Sequence, residues 1–414
     1  MEKIRTKARG PHKPAAAGQM RLGYLSGAPR VSTRPTAEVS GARTHVLGVM
    51  HAFEALGWEV LPYIVGDRIG ERCSGRGSER ALGKSFLHLL AADAVRYGLG
   101  IGHSYRAHKE FAGRVDWVYE RLAVFQAMGR RFQRQGIPWI LETNAPLTYE
   151  AKVERRSVAL STLAHSIELS AYRDCDVLIC VSKELREILT SCAKVPARKI
   201  LVIPNGVDTA VYDPARYQSL RLFQGFTVGF VGSLYRWQAL DLLLKAVAEI
   251  ESERGIVLNV VVVGDGAMRS EWELLSRELG LSERVRFVGR VPPDDVPRYI
   301  AGFDVAYSGQ TALQNHPMYL SPLKLYEYQA MAKPVVASAY SDARQLIQQG
   351  ETGYLFDPGN RESLKQALIA AYETRDRHEA MGNEARANVV SRHSWIARVR
   401  QMVTGIDAIL GGES

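Results

Sequence analysis

A lysine and a glutamate three residues apart, Lys324 and Glu327, follow the loop Ser321-Pro322-Leu323 in the stretch SPLKLYEYQAMAKPVVAS at 321–338. The loop opens an expected helix over 324–331, whose unpaired N–H groups and positive dipole end form a site for a diphosphate. Glu327 stands one turn in, where a carboxylate can accept hydrogen bonds from a pair of sugar hydroxyls. Lys324 lies near the same helix face. The apolar residues 335–337 after Pro334 read as a parallel strand buried on both faces. Diphosphate and sugar hydroxyls together are the marks of a nucleotide sugar.

Other stretches add chemistry of the same kind. Residues 229–234, GFVGSL, run a strand into a turn at Gly232, where backbone N–H groups can approach phosphate, and Arg236 follows in the same loop. A glycine turn also serves as an ordinary crossover, and Arg236 as an ordinary loop charge. Residues 261–266, VVVGDG, form a second strand and turn with Asp265 as a ligand or a turn residue. At 139–146, WILETNAP, a strand enters a polar loop carrying Glu142 and Asn144, either of which could meet a sugar or an acceptor. Tyr119-Glu120-Arg121 also follows a strand, with an Arg–Glu ion pair as the plainer reading. His45, inside a helical pattern, reads as a packing or surface histidine. The turn 202–208, VIPNGVD, has Asn205 and Asp208 placed to bond nearby backbone.

These segments need a scaffold, and 414 residues exceed what one core holds; two domains of about 200 residues fit. A chain 46% hydrophobic and 23% charged is globular in composition. No apolar run approaches the roughly 18 residues that span a bilayer, and the first twenty hold five basic residues without an apolar core, so they read as a basic tail rather than a secretory signal. Cys73, Cys175, Cys180 and Cys192 give neither a disulfide framework nor metal-ligand spacing, which makes a reducing cytoplasm the default location. Net charge is +9, unevenly placed: residues 1–205 carry 31 Lys and Arg against 19 Asp and Glu, giving +12, and the remainder carries 22 against 25, giving −3. A basic first half points to an anionic partner, a phosphorylated acceptor or the inner face of a membrane, or simply to a solvated face and tail. No nucleic-acid motif is visible.

Strand and helix patterns alternate twice. Strands are expected at 20–25, 58–64, 116–119, 139–142, 177–181 and 199–203, then at 227–231, 257–263, 285–288, 305–307 and 335–338; the principal helices are expected at 44–56, 183–192, 239–251, 269–279, 324–331, 361–373 and 378–391. Residues 68–114 do not parse. Such alternation predicts two doubly wound α/β domains with strand carboxyl ends, and so ligands, facing a shared cleft. The expected division is a tail 1–19, domains 20–205 and 206–392, and a segment 393–414 whose amphipathic helix over 395–410 crosses back onto the first domain.

In order and spacing, five stretches resemble glycosyltransferase family 4, retaining nucleotide-sugar enzymes of the GT-B fold: KILVIPNGVDTAVYDP at 199–214, GFVGSLYRWQALDLLLKAV at 229–247, VVVGDGAMRSEWELL at 261–275, RVRFVGRVPPDDVPRYIAGFDV at 284–305, and 321–338. The resemblance implies that Glu327 holds the ribose hydroxyls, that Gly232 lies in the phosphate loop, that Gly289, Arg290 and Val291 meet the base, and that Gly41 belongs to the first-domain glycine loop over the donor phosphate. Three positions depart from the family. Tyr319 replaces a glutamate that contacts the donor sugar, and Ser233 and Gln238 replace an arginine and a lysine of the phosphate loop. Lys324 and Arg236 are the expected replacements for that lost charge.

The expected activity is hexosyl transfer from a nucleoside diphosphate sugar to an acceptor hydroxyl of a glycan, a lipid-linked or a small molecule, with no metal. A nucleotide-sugar epimerase of the same fold and a non-catalytic nucleotide-sugar binder are the alternatives.

Overall fold

The computed structural model describes residues 19–37, 40–69, 85–154, 156–311 and 318–412; the expected tail up to residue 18, Cys73 and Arg155 lie outside them. The first half builds one parallel sheet from β1 (Arg21–Ser26), β2 (Glu59–Ile64), β3 (Trp117–Arg121), β4 (Trp139–Thr143), β5 (Val177–Cys180) and β6 (Ile200–Val202), in the order β2-β1-β3-β4-β5-β6. The second half repeats the design with β7 (Thr227–Val231), β8 (Asn259–Val263), β9 (Val285–Gly289), β10 (Val305–Ser308), β11 (Val335–Ser338) and β12 (Gly353–Phe356), ordered β12-β11-β10-β7-β8-β9. Every pairing in it is also parallel. In each sheet the strand order reverses once, at β1/β3 and at β7/β10, and a crevice opens at such a point beyond the strand carboxyl ends.

The helices that matter below are α1 (Gly41–Ala55), α2 (Phe86–Phe111), α3 (Ser161–Asp174), α4 (Lys183–Ser191), α5 (Leu240–Arg254), α6 (Arg269–Glu278), α7 (Leu323–Ala330), α8 (Ser341–Leu346), α9 (Arg361–Glu373), α10 (His378–Arg392) and α11 (Trp395–Gly411). Local chemistry sets several of their starts. Ser40, Ser182, Asn360 and Ser394 each cap a helix with a side-chain oxygen accepting the backbone N–H three residues on. The run Asn-Val-Val-Val-Val of β8 is buried throughout because helices cover both faces of its sheet. Four of the elements named here went unread in the sequence: α2, which fills the unparsed stretch, α3, and the short α8 and β12, too few in residues for a periodic signal.

The chain passes between the halves twice, side by side. Val207 N donates to His393 O at 3.1 Å and Trp395 N to Val207 O at 3.0 Å. Beyond that crossing α11 leaves the second half and packs on the first, where Trp395, Val399, Met402 and Ile406 join Val46, Phe53 and Ile179 in one core. The expected crossing-back of the C-terminal helix is therefore what the structure has. A second tie is Met318-Tyr319, which sits between β10 and α7 yet buries in the first-half core beside Leu178 and Leu185.

Candidate active site

On the second-half side the site begins with three glycine turns side by side at the ends of β7, β8 and β9. Gly232 N donates to Val263 O (3.0 Å), and Gly264 N to Gly289 O (2.8 Å). Gly264 has φ +131°, and a Cβ there would come within 2.0 Å of Gly232 O, so a side chain is excluded on both counts. Under the Gly232 turn lies the ammonium of Lys324: a Cβ on Gly232 would stand 3.3 Å from its Nζ. Lys324 Nζ donates to Gln238 Oε1 at 2.5 Å and lies 4.0 Å from the centre of the Phe230 ring. Burial pulls this ammonium down to about 7, with the negative charge of Glu327 opposing the shift. Glu327, one turn on, is pushed up to about 7 by burial, against the Tyr212 hydroxyl and the Lys324 charge. A buried cation and a carboxyl thus lie on one face of α7, beneath the Gly232 turn.

The loop before α7 is held firmly. Ser321 Oγ donates to Asp342 and accepts from Asn205 N at 2.9 Å, while Asn205 Nδ2 donates to Ser321 O at 2.6 Å. Tyr326 Oη donates to the same Asp342 carboxylate at 2.8 Å. Asn205 therefore bonds a loop 116 residues away rather than its neighbours, whereas Asp208 does cap Ala210 N and Val211 N as its spacing implies. Leu323 reaches the first half: a Cβ on Gly41 would lie 3.5 Å from Leu323 Cδ1, so the glycine at the start of α1 and the loop before α7 face each other.

Across the cleft, polar side chains gather where β1, β3 and β4 end. Glu142 Oε1 accepts from His45 Nε2 at 2.8 Å, both side chains being almost wholly buried. Burial opposes ionisation of Glu142, but His45, Arg121 and Tyr119 outweigh it and hold the carboxyl below its usual range. With its amide oriented to satisfy both neighbours, Asn144 donates to Glu142 Oε1 (3.3 Å) and accepts from Arg121 Nη2 (3.1 Å). Tyr24 Oη, Ser26 Oγ and His45 Nδ1 are buried in the same region without a protein partner. Glu120 points to the other face of β3, accepting from Met128 N and Gly129 N at 2.8 Å each, so the adjacent Glu120 and Arg121 do not pair.

Residues 39–211 match the family model described as Glycosyltransferase Family 4, and residues 218–388 match Glycosyl transferases group 1. The chain has the GT-B fold, and each of its halves is similar to a glycosyltransferase family. It is 27% identical over 247 residues to an uncharacterized glycosyltransferase of Methanocaldococcus jannaschii, covering 57% of this chain and 60% of that one. To the D-inositol 3-phosphate glycosyltransferase of Corynebacterium aurimucosum it is 29% identical over 265 residues, covering 58% and 61%. The matched region thus spans about three fifths of the length of these curated relatives. Anabaena HepE, crystallised with UDP-glucose, shares the fold over 94% of this chain and all of its own, with a TM-score of 0.64 at 19% identity.

On this GT-B frame the residues singled out in the sequence separate into groups. Lys324, Glu327, Gly232 and Gly289 converge, with Ser321, Pro322 and Leu323 beside them. Ser233 is exposed beyond the turn, and Arg290 and Val291 continue the chain after Gly289, Arg290 exposed and Val291 half-buried. The Arg236 side chain is 75% exposed and turns outward to Glu271 at 3.3 Å, away from Lys324. Tyr319 is fully buried, and its hydroxyl donates to Glu150 Oε1 of the first half at 3.0 Å, so its side chain lies in the first-half core and not over the glycine turns. Asp265 is a turn residue, accepting from Gly266 N. His45, expected as a packing or surface histidine, is buried, and it is the partner of Glu142. Gln238, expected only as the replacement of a lysine, is the acceptor for Lys324. No local pattern shows either contact, because each joins residues distant in sequence.

Proposed function

We propose that this protein is a retaining glycosyltransferase that moves a hexosyl unit from a nucleoside diphosphate sugar to an acceptor hydroxyl. The observation that carries this reading is the Lys324 ammonium buried under the Gly232 turn against Gln238. Gln238 occupies the place of the phosphate-loop lysine, and the missing charge is supplied to that spot from α7 instead. The diphosphate would lie over the turn, with its developing charge met by Lys324. Glu327 would accept the ribose hydroxyls, and residues 289–291 would flank the base.

The sugar then faces Asn144 and Arg121, which the buried His45–Glu142 pair holds in position. The bond from the anomeric carbon to the diphosphate oxygen breaks as a bond to the acceptor oxygen forms on the same face. The acceptor proton passes to the departing phosphate, and configuration is retained. UDP-glucose in the Anabaena structure and a phosphorylated polyol acceptor in the corynebacterial relative accord with such substrates. The test is incubation with a panel of uridine, guanosine and adenosine diphosphate sugars, followed by assay of the free diphosphate. One donor is expected to hydrolyse slowly, and the Lys324→Met variant to lose that release. Tight binding of a donor without any release, with or without added acceptors, would mark a non-catalytic binder.

A further inference from the structure

We propose that the outward face of α2 is a docking surface for an anionic lipid bilayer. The surface goes beyond the transferase reading, although under that reading it would bring the cleft to an acceptor at the membrane. Helix α2 is fastened along one side only. Asp93 accepts from Ala159 N (2.7 Å) and Leu160 N (2.8 Å), Arg96 donates to Ser157 O (2.7 Å), and His103 bonds Tyr63 Oη (3.0 Å).

The other side is apolar and open: Phe86, Leu87, Val95, Ile101 and Tyr105 are each 51–73% exposed, and Tyr97 40%. No other helix among the described residues shows so many large exposed apolar side chains. At about 100° per residue, Leu87, Ile101 and Tyr105 fall on one stripe. A soluble surface rarely leaves such a strip uncovered without a partner.

The charge around the strip names the partner. The acidic residues of α2 are Asp93, which is buried, and Glu110, which is exposed at the carboxyl end but paired with Arg68 at 2.7 Å. At the carboxyl end of that face Arg106 and Lys109 are exposed, and the guanidinium of Arg131 stands 5.8 Å from the Tyr105 ring. An apolar strip flanked by basic residues, with no unpaired acid of the helix beside it among the described residues, is the pattern of a helix lying in the headgroup plane. A second copy fits worse. The seam between Leu87 and Ile101 holds Ala91, Ala94 and Gly98, too small for the knobs of a coiled coil, and two-fold pairing would juxtapose basic ends in a parallel arrangement.

The experiment uses the full chain with vesicles of phosphatidylcholine alone or mixed with phosphatidylglycerol, read by co-sedimentation. Binding is expected to the mixed vesicles only and to fall with salt. Replacing Arg106, Lys109 and Arg131 together by alanine should weaken it on the order of a hundredfold, and Leu87→Ser/Ile101→Ser/Tyr105→Ser should abolish it. All six side chains are surface-facing, so unchanged circular dichroism and melting are expected and are checked first. Equal binding by the wild type and both variants, or no binding at all, overturns the proposal. So does a dimer in sedimentation velocity that the apolar variant dissociates without any vesicle binding. Donor hydrolysis by the apolar variant in vesicle-free buffer reads the transferase proposal separately.

Discussion

At the scale of single residues, the proposed donor site turns on the Lys324–Glu327 pair. Glu327→Ala is expected to weaken nucleoside diphosphate binding by about 2–4 kcal/mol without unfolding the chain, the loss of charge-assisted bonds to two hydroxyls; calorimetric titration measures it. Lys324→Met should lower turnover by a factor of about 100 to 1,000 and donor affinity much less, because the ammonium meets charge that builds in the transition state. Arg236→Met should leave turnover within a few-fold, since that side chain is exposed against Glu271. A pH signature accompanies Lys324. Burial brings it to about 7, and a diphosphate bound beside it would raise it again, so binding above pH 7 would take up a proton. Affinity for the diphosphate should therefore fall as pH rises above 7, approaching about tenfold per unit for one linked proton, and Lys324→Met should flatten that slope. Titration in buffers of different ionisation enthalpy detects the proton directly.

At the scale of elements, the packing of α11 on α1 joins the end of the chain to its beginning. Gly48 makes the approach possible, because a Cβ there would stand 2.2 Å from Trp395 Nε1. Gly48→Ala should destabilise the protein by roughly 1–3 kcal/mol through overpacking, despite the better helix propensity of alanine. Urea unfolding checks this, and an unchanged midpoint would mean that α11 shifts freely on α1. Trp395 also packs edge-on against His45, with ring centres 5.0 Å apart, so the C-terminal helix helps to hold the histidine that bonds Glu142. The helix is thus one contact removed from the polar cluster in the first-half wall of the cleft.

At the scale of the whole molecule, the two halves are tied at the paired crossings and again at the Tyr319 loop, where Ser182 Oγ donates to Tyr319 O at 2.8 Å. Ser182 also caps α4, so one hydroxyl serves a helix start in the first half and a loop of the second. Tyr319→Phe, which removes only the hydroxyl bonded to Glu150, should cost about 1 kcal/mol in unfolding. If the loop also limits cleft opening, small-angle scattering of Tyr319→Ala will give a larger radius of gyration without donor than with it, while the parent changes less.

The sequence by itself determined the two α/β repeats and the positions of most strands, because parallel strands buried on both faces must be apolar runs such as Val260-Val261-Val262-Val263. It also marked Lys324, Glu327 and the glycine turns, since their roles depend on backbone geometry and on spacing along one helix. Helix α2 stayed hidden for the opposite reason: its apolar residues face outward as well as inward, so no single apolar stripe stands against a polar one. The destinations of long side chains were equally illegible. Arg236 and Lys324 are both basic residues near a phosphate loop in sequence, and only packing shows that one turns out to Glu271 and the other in to Gln238. Tyr319 stands where a donor contact was expected and is buried in the opposite half. Such outcomes belong to the tertiary structure because they depend on which surfaces meet, and residues far apart in the chain supply those surfaces.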